Sequence, residues 1–146
     1  MKYLFFINLL ICSLLLNAQS SLEGKWITID DQTNKPKSII ELKLVKGKLE
    51  GTVVKVYPEK GKPEDPICDL CTDYRKNQKI VGMKVLHGLY KSGDEYKGGE
   101  VLDPENGKVY SCKIWMDAGN HNVLNLRGYI GPFYRTQKWI RYQEKT

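Results

Sequence analysis

Apolar and polar residues alternate along most of the chain beyond residue 20, and this period of two is typical of β-strands with one buried face. Ile40, Leu42 and Leu44 fall on one face of such a strand, whereas Glu41 and Lys43 fall on the other. No comparable stretch has the spacing of an amphipathic helix. The pattern predicts about eight strands, near residues 22–30, 37–46, 48–57, 79–90, 95–103, 108–117, 121–130 and 134–143.

Short turn sequences separate these runs and predict that each strand pairs with the next. Asn106-Gly107 is the strongest of them and predicts a two-residue type I′ turn, in which both central residues have positive φ. Gly98-Gly99 interrupts a strand pattern and predicts a bulge or a close backbone approach. The exception is residues 58–78, which are rich in Pro, Lys and Asp and predict one long loop across the end or side of the sheet.

Consecutive hairpins form an antiparallel up-and-down meander, and about eight strands are enough to close it into a barrel. Closure removes both exposed sheet edges, and the interior then holds side chains or one small ligand. We therefore predict an all-β chain with a single antiparallel up-and-down β-barrel domain over residues 19–146.

The first residues differ from the rest and have the three parts of a secretory signal peptide. Lys2 gives a positive start, residues 4–16 are largely apolar, and Ala18 supplies a small residue before the expected cleavage point. The apolar run is shorter than the roughly 20 residues that span a membrane. Residues 1–18 are thus a predicted signal peptide. The product is expected to be periplasmic or secreted, with no integral membrane segment after cleavage.

The charge of the chain is mildly basic, with 23 basic and 17 acidic residues and a formal net charge of +6 at pH 7. The two signs are interleaved, as at Lys97 and Glu100, which is typical of an ordinary solvated surface and argues against a nucleic-acid partner. The basic balance still favours anionic components of a cell envelope. Nothing in this pattern specifies an oligomeric state.

Three cysteines remain after the expected cleavage, and paired cysteines in an exported chain tend to form disulfides. Cys68 could pair with Cys71, or one of them could reach Cys112. The local pair is preferred, with Cys112 left as a free, buried thiol. A redox centre would normally begin a helix, and a c-type haem site needs His where Thr72 stands. A zinc site with His87 would lack a second cysteine pair, so no metal and no cofactor are predicted.

Candidate chemistry is otherwise sparse, because the chain has no Gly-x-Ser-x-Gly, phosphate-loop or dinucleotide motif, and no catalytic residue is predicted. Tyr and Trp greatly outnumber Phe after residue 18. Their apolar bodies and polar tips suit a cavity wall, although ordinary barrel packing would also use them. The candidate ligand-binding residues are Tyr110, Trp115, Arg127 and Tyr129.

The two ends of the domain contain a pair of matching elements. Gly24-Lys25-Trp26 opens the first strand, and Arg141 closes the last. In lipocalin-type barrels a Gly-x-Trp at the start packs beneath an Arg from the final strand, and Arg over Trp is a reasonable cation–π pair. The expected barrel is therefore lipocalin-like, with Gly24, Trp26 and Arg141 packed at its closed end.

Longer stretches resemble one family of small exported bacterial proteins, domain of unknown function 2147. The resemblance implies a lipocalin-like barrel in the bacterial envelope and no established activity. Cys68 and Cys71 match the family's Cys-x-x-Cys, whereas Tyr134 stands where the family usually has Gly before Arg-Thr-Gln. The stretches are LEGKWITIDDQTNKPKSII at 22–40, CDLC at 68–71, IVGMKVLHGL at 80–89, YKGGEVLDPENGKVYSCKIW at 96–115 and LRGYIGPFYRTQKWIRY at 126–142.

Together these features predict a non-catalytic exported barrel that binds a small apolar or amphipathic ligand, such as a lipid-like molecule of the envelope. The alternative is an interaction module of the envelope whose barrel is filled with side chains. A barrel cavity of at least a few hundred Å³ would favour ligand binding over the alternative.

Overall fold

A computed structural model of the chain describes residues 21–146, which form a closed antiparallel barrel. Each strand pairs with its neighbours in sequence, and the first also pairs with the last, as expected for an up-and-down barrel. The described residues include no helix of the length and apolarity that a membrane crossing requires. The strands are β1 (Gly24–Ile29), β2 (Pro36–Val45), β3 (Lys48–Val56), β4 (Lys84–Ser92), β5 (Glu95–Asp103), β6 (Lys108–Met116), β7 (Val123–Ile130) and β8 (Phe133–Arg141).

The seam between β1 and β8 closes the barrel but is short. Pairing there is confined to Trp26 with Arg141, Ile27 with Ile140, and Thr28 with Trp139. Beyond the pair of Thr28 and Trp139 the two strands are no longer paired. β1 ends one residue later, at Ile29, whereas the part of β8 from Phe133 to Lys138 extends past it without a partner from β1. The seam is therefore hydrogen-bonded at one end of the barrel and open at the other.

The type I′ hairpin turn lies at a different place from the one that the sequence predicts. Lys46 and Gly47 join β2 to β3 with φ values of 50° and 77°, so both central residues have positive φ. The prediction of a two-residue type I′ turn at Asn106-Gly107 is wrong. Asp103 pairs with Lys108 across a four-residue loop, and only Gly107 of this loop has positive φ. The side chain of Asp103 accepts a hydrogen bond from the backbone of Glu105 and so favours the longer loop.

A bulge in β5 matches the expectation for the glycine pair. The register of β5 against β6 shifts between Lys97 and Gly99, and Gly98 has a φ of 76°. Gly99 lies so close to the backbone of β4 that a side chain there would clash with the carbonyl of His87. Gly98 therefore forms the bulge, and Gly99 allows the close approach between β4 and β5.

The long connection between β3 and β4 is longer than expected, because β4 begins at Lys84 and not near residue 79. Ile80 donates a backbone hydrogen bond to Pro66, and Gly82 turns the chain with a φ of 91°. These local bonds replace the strand pairing that the apolar sequence at 80–83 suggests. The connection contributes Cys68, Cys71 and Met83 to the buried core.

Candidate functional site

The open end of the barrel and the loops around it form a cavity of about 1210 Å³ that is open to solvent. Its mouth lies among the β1–β2 turn, the β3–β4 connection, the β5–β6 loop and the β7–β8 turn. In an up-and-down barrel alternate hairpins lie at the same end, so these four connections share one end by topology. The other end, where Trp26 and Arg141 pack, is closed.

The floor of the cavity is apolar except for the Nε1 of Trp139, which has no hydrogen-bond partner among the described residues. Ile40, Val53, Leu126 and Trp139 line it and are all buried, and they come from four different strands. Strand alternation brings them together, since residues at one level of a barrel point inward from neighbouring strands. A ligand that reaches this depth contacts aliphatic side chains and the indole ring of Trp139.

A few polar groups stand on the walls above this floor. The hydroxyl groups of Thr28 and Ser38 lie 2.7 Å apart and hydrogen-bond to each other. The Tyr110 hydroxyl accepts a hydrogen bond of 2.9 Å from the amide of Asn106. Gln137 also lines the cavity, two residues before Trp139 on the same face of β8. The walls can therefore hydrogen-bond a polar part of a ligand whose apolar part lies on the floor.

Ion pairs cross the rim of the mouth. Glu105, on the β5–β6 loop, accepts hydrogen bonds from Lys37 and Lys62, and Lys62 also pairs with Glu59 at 2.8 Å. Desolvation opposes ionisation of Glu105, but these two lysines outweigh it and lower the pKa of its carboxyl group. Hydrogen bonds to Glu59 and Glu105 raise the pKa of Lys62. The rim is thus charged but locally neutralised.

The four candidate ligand-binding residues do not lie together. Tyr110 lies on the cavity wall, where its Cβ is next to Gly128. Trp115, Arg127 and Tyr129 have the opposite strand parity and lie on the outer face of β6 and β7. There the Arg127 guanidinium lies 5.2 Å from the centroid of the Trp115 ring. The aromatic count of the sequence identifies these residues but does not tell which face of the strand is inside.

The closed end brings together Gly24, Trp26 and Arg141. The Arg141 guanidinium lies 4.2 Å from the centroid of the Trp26 ring, and an added Cβ on Gly24 would lie 3.7 Å from Arg141. Trp26 is fully buried, and its Nε1 donates a hydrogen bond of 2.9 Å to the carbonyl of Leu22. These contacts plug the end of the barrel opposite the mouth.

The cysteines pair locally. Cys68 and Cys71 form a disulfide and are both buried, and Cys112 is a free, buried thiol inside the barrel. Desolvation, with a smaller effect of the Glu100 charge, raises the pKa of Cys112 to about 12. His87 lies apart on the outer face beside Glu50, and within residues 21–146 no three metal-ligating side chains converge. His87 and the three cysteines therefore do not lie together as the ligands of a zinc site would.

Sequence reasoning did not single out the residues that form the cavity floor. Ile40 was recognised only as part of a strand face, and Val53, Leu126 and Trp139 were not assigned to a site. The signal in the sequence is the alternation itself. Once one residue of a strand is known to point inward, the residues two positions away on that strand must also point inward.

Comparisons with known proteins agree with this architecture. A family model described as "Uncharacterized protein conserved in bacteria (DUF2147)" matches residues 24–141. Among solved structures, protein HP1028 from the human pathogen Helicobacter pylori, described as belonging to the lipocalin family, is similar to this chain with a TM-score of 0.70 and 21% sequence identity. The similarity covers 85% of this chain and 84% of that one. No curated protein sequence matches the chain.

Proposed function

The chain belongs to the bacterial DUF2147 family, and we propose that it is an exported, non-catalytic protein that binds a small apolar or amphipathic ligand inside its barrel. The observation that supports this most is the cavity of about 1210 Å³ with its apolar floor. Typical ligand pockets have volumes of roughly 300–1,000 Å³. Although part of the volume lies at the open mouth, the cavity is large enough for a small ligand.

The layout of the cavity favours an amphipathic molecule. Its apolar part would lie on Leu126 and Trp139, and its polar part would meet Gln137, Tyr110 or the charged rim. Burial of apolar ligand surface against this floor supplies the main driving force, at roughly 25 cal/mol per Å² before the cost of association. The alternative of a barrel filled with side chains has less support, because the cavity reaches inward-facing residues of several strands, such as Ile40 and Trp139.

The non-catalytic part of the proposal rests on the chemistry that lines the cavity. Its floor contains no ionisable side chain. At the rim, Glu105 forms ion pairs with Lys37 and Lys62, and Asp31 forms an ion pair with Arg135. A general acid or base needs a free group within hydrogen-bond reach of the reacting atoms. The arrangement suits storage or transport of a ligand better than its conversion.

Export is supported by the disulfide, because such bonds persist in oxidising compartments and bacterial cytoplasm keeps thiols reduced. The expected signal peptide at residues 1–18 lies outside the described residues. Amino-terminal sequencing of the accumulated protein tests this part directly. A product that begins near Gln19 is expected, and one that retains Met1 would contradict export by cleavage.

Filling the cavity tests ligand binding. Gly128 faces the cavity without positive φ, and an added Cβ would meet only Tyr110 at ordinary contact distance, 3.6 Å. Gly128→Leu should therefore fold and block the space. Gly119→Leu is the matched control, because Gly119 lies at the other end of the barrel, where an added Cβ would meet only Asp117 at 3.6 Å.

The measurement is native mass spectrometry of protein purified from its own cells, supported by titration with an apolar fluorescent probe. The original chain and Gly119→Leu should retain the same bound mass, and Gly128→Leu should lose it. Equal retention by Gly128→Leu would place the ligand outside the cavity. Absence of any retained mass together with no probe binding would refute ligand binding.

A further inference from the structure

The β7–β8 hairpin ends in an exposed apolar tip beside the mouth of the cavity. Ile130 is 55% exposed and Phe133 is 75% exposed, and a two-residue turn, Gly131-Pro132, joins them. Both residues also lie at the edge of the cavity. Large apolar side chains this exposed cost free energy in water, and clusters of them commonly mark a contact surface.

Behind this tip the side chains of the hairpin follow a fixed order. Tyr129 and Tyr134 face each other across the strands, with ring centroids 6.3 Å apart. Two residues before Tyr129, on the same face of β7, is Arg127, whose guanidinium lies 4.3 Å from the centroid of the Tyr134 ring. Since a strand rises about 3.3 Å per residue, Arg127 lies about 10 Å behind Ile130. The order from the tip is therefore apolar, aromatic, cationic.

The two strands of this hairpin and the neighbouring strand β6 have charges of one sign only. β6, β7 and β8 contain six basic residues and no acidic residue. Some of these bases are paired with acids from elsewhere, such as Lys113 with Glu95 and Arg135 with Asp31. Within the part of the chain that the structure describes, Arg127 has no acidic partner and its Nε donates to the hydroxyl of Thr136. The six are Lys108, Lys113, Arg127, Arg135, Lys138 and Arg141.

We propose that the β7–β8 hairpin docks the protein on the surface of an anionic lipid bilayer. Apolar side chains enter the acyl boundary, aromatic side chains prefer the interface, and cations remain at the level of the lipid phosphates. The hairpin presents these three groups in that order of depth. Its length from Ile130 to Arg127 also fits the roughly 5–10 Å by which interfacial elements enter a bilayer.

A bilayer fits the surface better than other anionic partners do. Nucleic acid or an acidic polysaccharide would use the cations and the aromatic faces, but it offers no hydrocarbon to cover Ile130 and Phe133. Arg127 suits phosphate in particular, because a guanidinium presents a planar fork of donors and is weakly hydrated. Docking here would place the mouth of the cavity against the lipid, which goes beyond ligand binding and does not depend on it.

Vesicle cosedimentation tests the proposal with residues 19–146, which include all eight strands and omit the apolar segment at 4–16. Vesicles of phosphatidylcholine and phosphatidylglycerol in equal parts are compared with vesicles of phosphatidylcholine alone. The protein should bind the mixed vesicles and bind less as salt is added, because the attraction between exposed charges is screened.

Two variants separate the apolar and the cationic contributions. The double variant Ile130→Ser with Phe133→Ser should weaken binding by at least about tenfold, since each side chain loses apolar burial. Arg127→Gln should weaken binding by about fivefold, and only on vesicles that contain phosphatidylglycerol. Val45→Ser is the matched control, because Val45 is 44% exposed at the opposite end of the barrel. It should bind as the original chain does.

Several outcomes would overturn this assignment. No binding to mixed vesicles would refute it, as would equal losses in Val45→Ser and the double variant. Binding of double-stranded DNA, measured by fluorescence anisotropy, without vesicle binding would reassign the face to polyanions. Self-association that the double variant abolishes, again without vesicle binding, would show that a second copy of the chain covers the tip.

Discussion

Arg141 stacks on Trp26 across the only seam that joins the first strand to the last among the described residues. The Arg141 guanidinium lies 4.2 Å from the centroid of the Trp26 ring, and the two residues are register partners. Arg141 also donates hydrogen bonds of 3.1 Å and 3.2 Å to the carbonyl groups of Ser21 and His121. Desolvation lowers the pKa of Arg141, but an arginine so shifted stays charged at neutral pH. One side chain thus joins β1, β8 and the turn before β7.

Replacing Arg141 by alanine should destabilise the barrel. The change removes the cation–π contact and two charge-assisted hydrogen bonds, so we expect the free energy of unfolding to fall by about 1–3 kcal/mol. Arg135→Ala is the control, because Arg135 forms an exposed ion pair with Asp31 at the open end, and its loss should cost at most about 1 kcal/mol. Urea denaturation measures both. Equal losses would mean that the closed end has no special role in stability.

Gly107→Ala should cost more than an ordinary loss of a turn glycine. Gly107 has a φ of 70°, and an added Cβ would clash with the backbone of Leu70. Gly47 has a similar φ of 77° but has nothing within 4 Å, so Gly47→Ala measures the backbone strain alone. We expect about 1 kcal/mol at Gly47 and at least about 3 kcal/mol at Gly107. Matching denaturation midpoints for the two variants would show that the loop around Leu70 yields without cost.

The barrel could be predicted because its strands repeat one simple pattern. Alternation such as that from Ile40 to Leu44, interrupted by turn residues every ten or so positions, leaves few arrangements other than a closed meander. The closing pair was also visible, since Trp26 and Arg141 stand at the two ends of the domain. The turn type at Gly107 was not visible, because it depends on a hydrogen bond that the Asp103 side chain accepts from the backbone of Glu105 and on contact with a loop distant in sequence.

The candidate site was only partly predictable, for a different reason. Alternation shows that Tyr110 and Cys112 share one face of β6 and that Lys113 and Trp115 share the other, but both faces contain large side chains. Which face points inward is settled only when all eight strands close. Trp115, Arg127 and Tyr129 were therefore assigned to a ligand site by composition, whereas the structure places them on the outer wall behind the hairpin tip.

Alkaline pH should destabilise the protein partly through Cys112. Burial raises the pKa of its thiol to about 12 from an ordinary value of 9.0. A raised folded-state pKa gives stability that is fully present below the unfolded value and is lost as pH rises through the folded value. Between about pH 9 and pH 12 the unfolded chain therefore releases a proton that the folded chain retains.

The comparison of the original chain with Cys112→Ala isolates this effect, because both chains titrate the same lysines and tyrosines. The original chain should lose more stability than the variant between about pH 9 and about pH 12. Alkylation of Cys112 should also be slow in the native state and fast in urea, since the thiolate is the reactive form. Parallel loss of stability in the two chains, or fast native alkylation, would contradict the buried position of this thiol.

The disulfide between Cys68 and Cys71 should stabilise one segment and not the whole barrel. It closes a ring with a sequence separation of only 3, and so short a ring removes little chain entropy. The double variant Cys68→Ala with Cys71→Ala should lower the free energy of unfolding by less than about 2 kcal/mol. The segment it clamps is held by backbone hydrogen bonds from Asn77 to Cys68 and from Ile80 to Pro66, at 2.8 Å and 2.9 Å.

Amide hydrogen exchange shows where that loss falls. In the double variant the amides of Asn77 and Ile80 should exchange faster, because their acceptors lie in or beside the released ring. The amides of β7, on the far side of the barrel, should keep their protection. Loss of protection in β7 as well would mean that the disulfide stabilises the whole barrel. Unchanged exchange at Asn77 and Ile80 would mean that contact of the loop at Leu70 with Gly107 is sufficient to hold it in place.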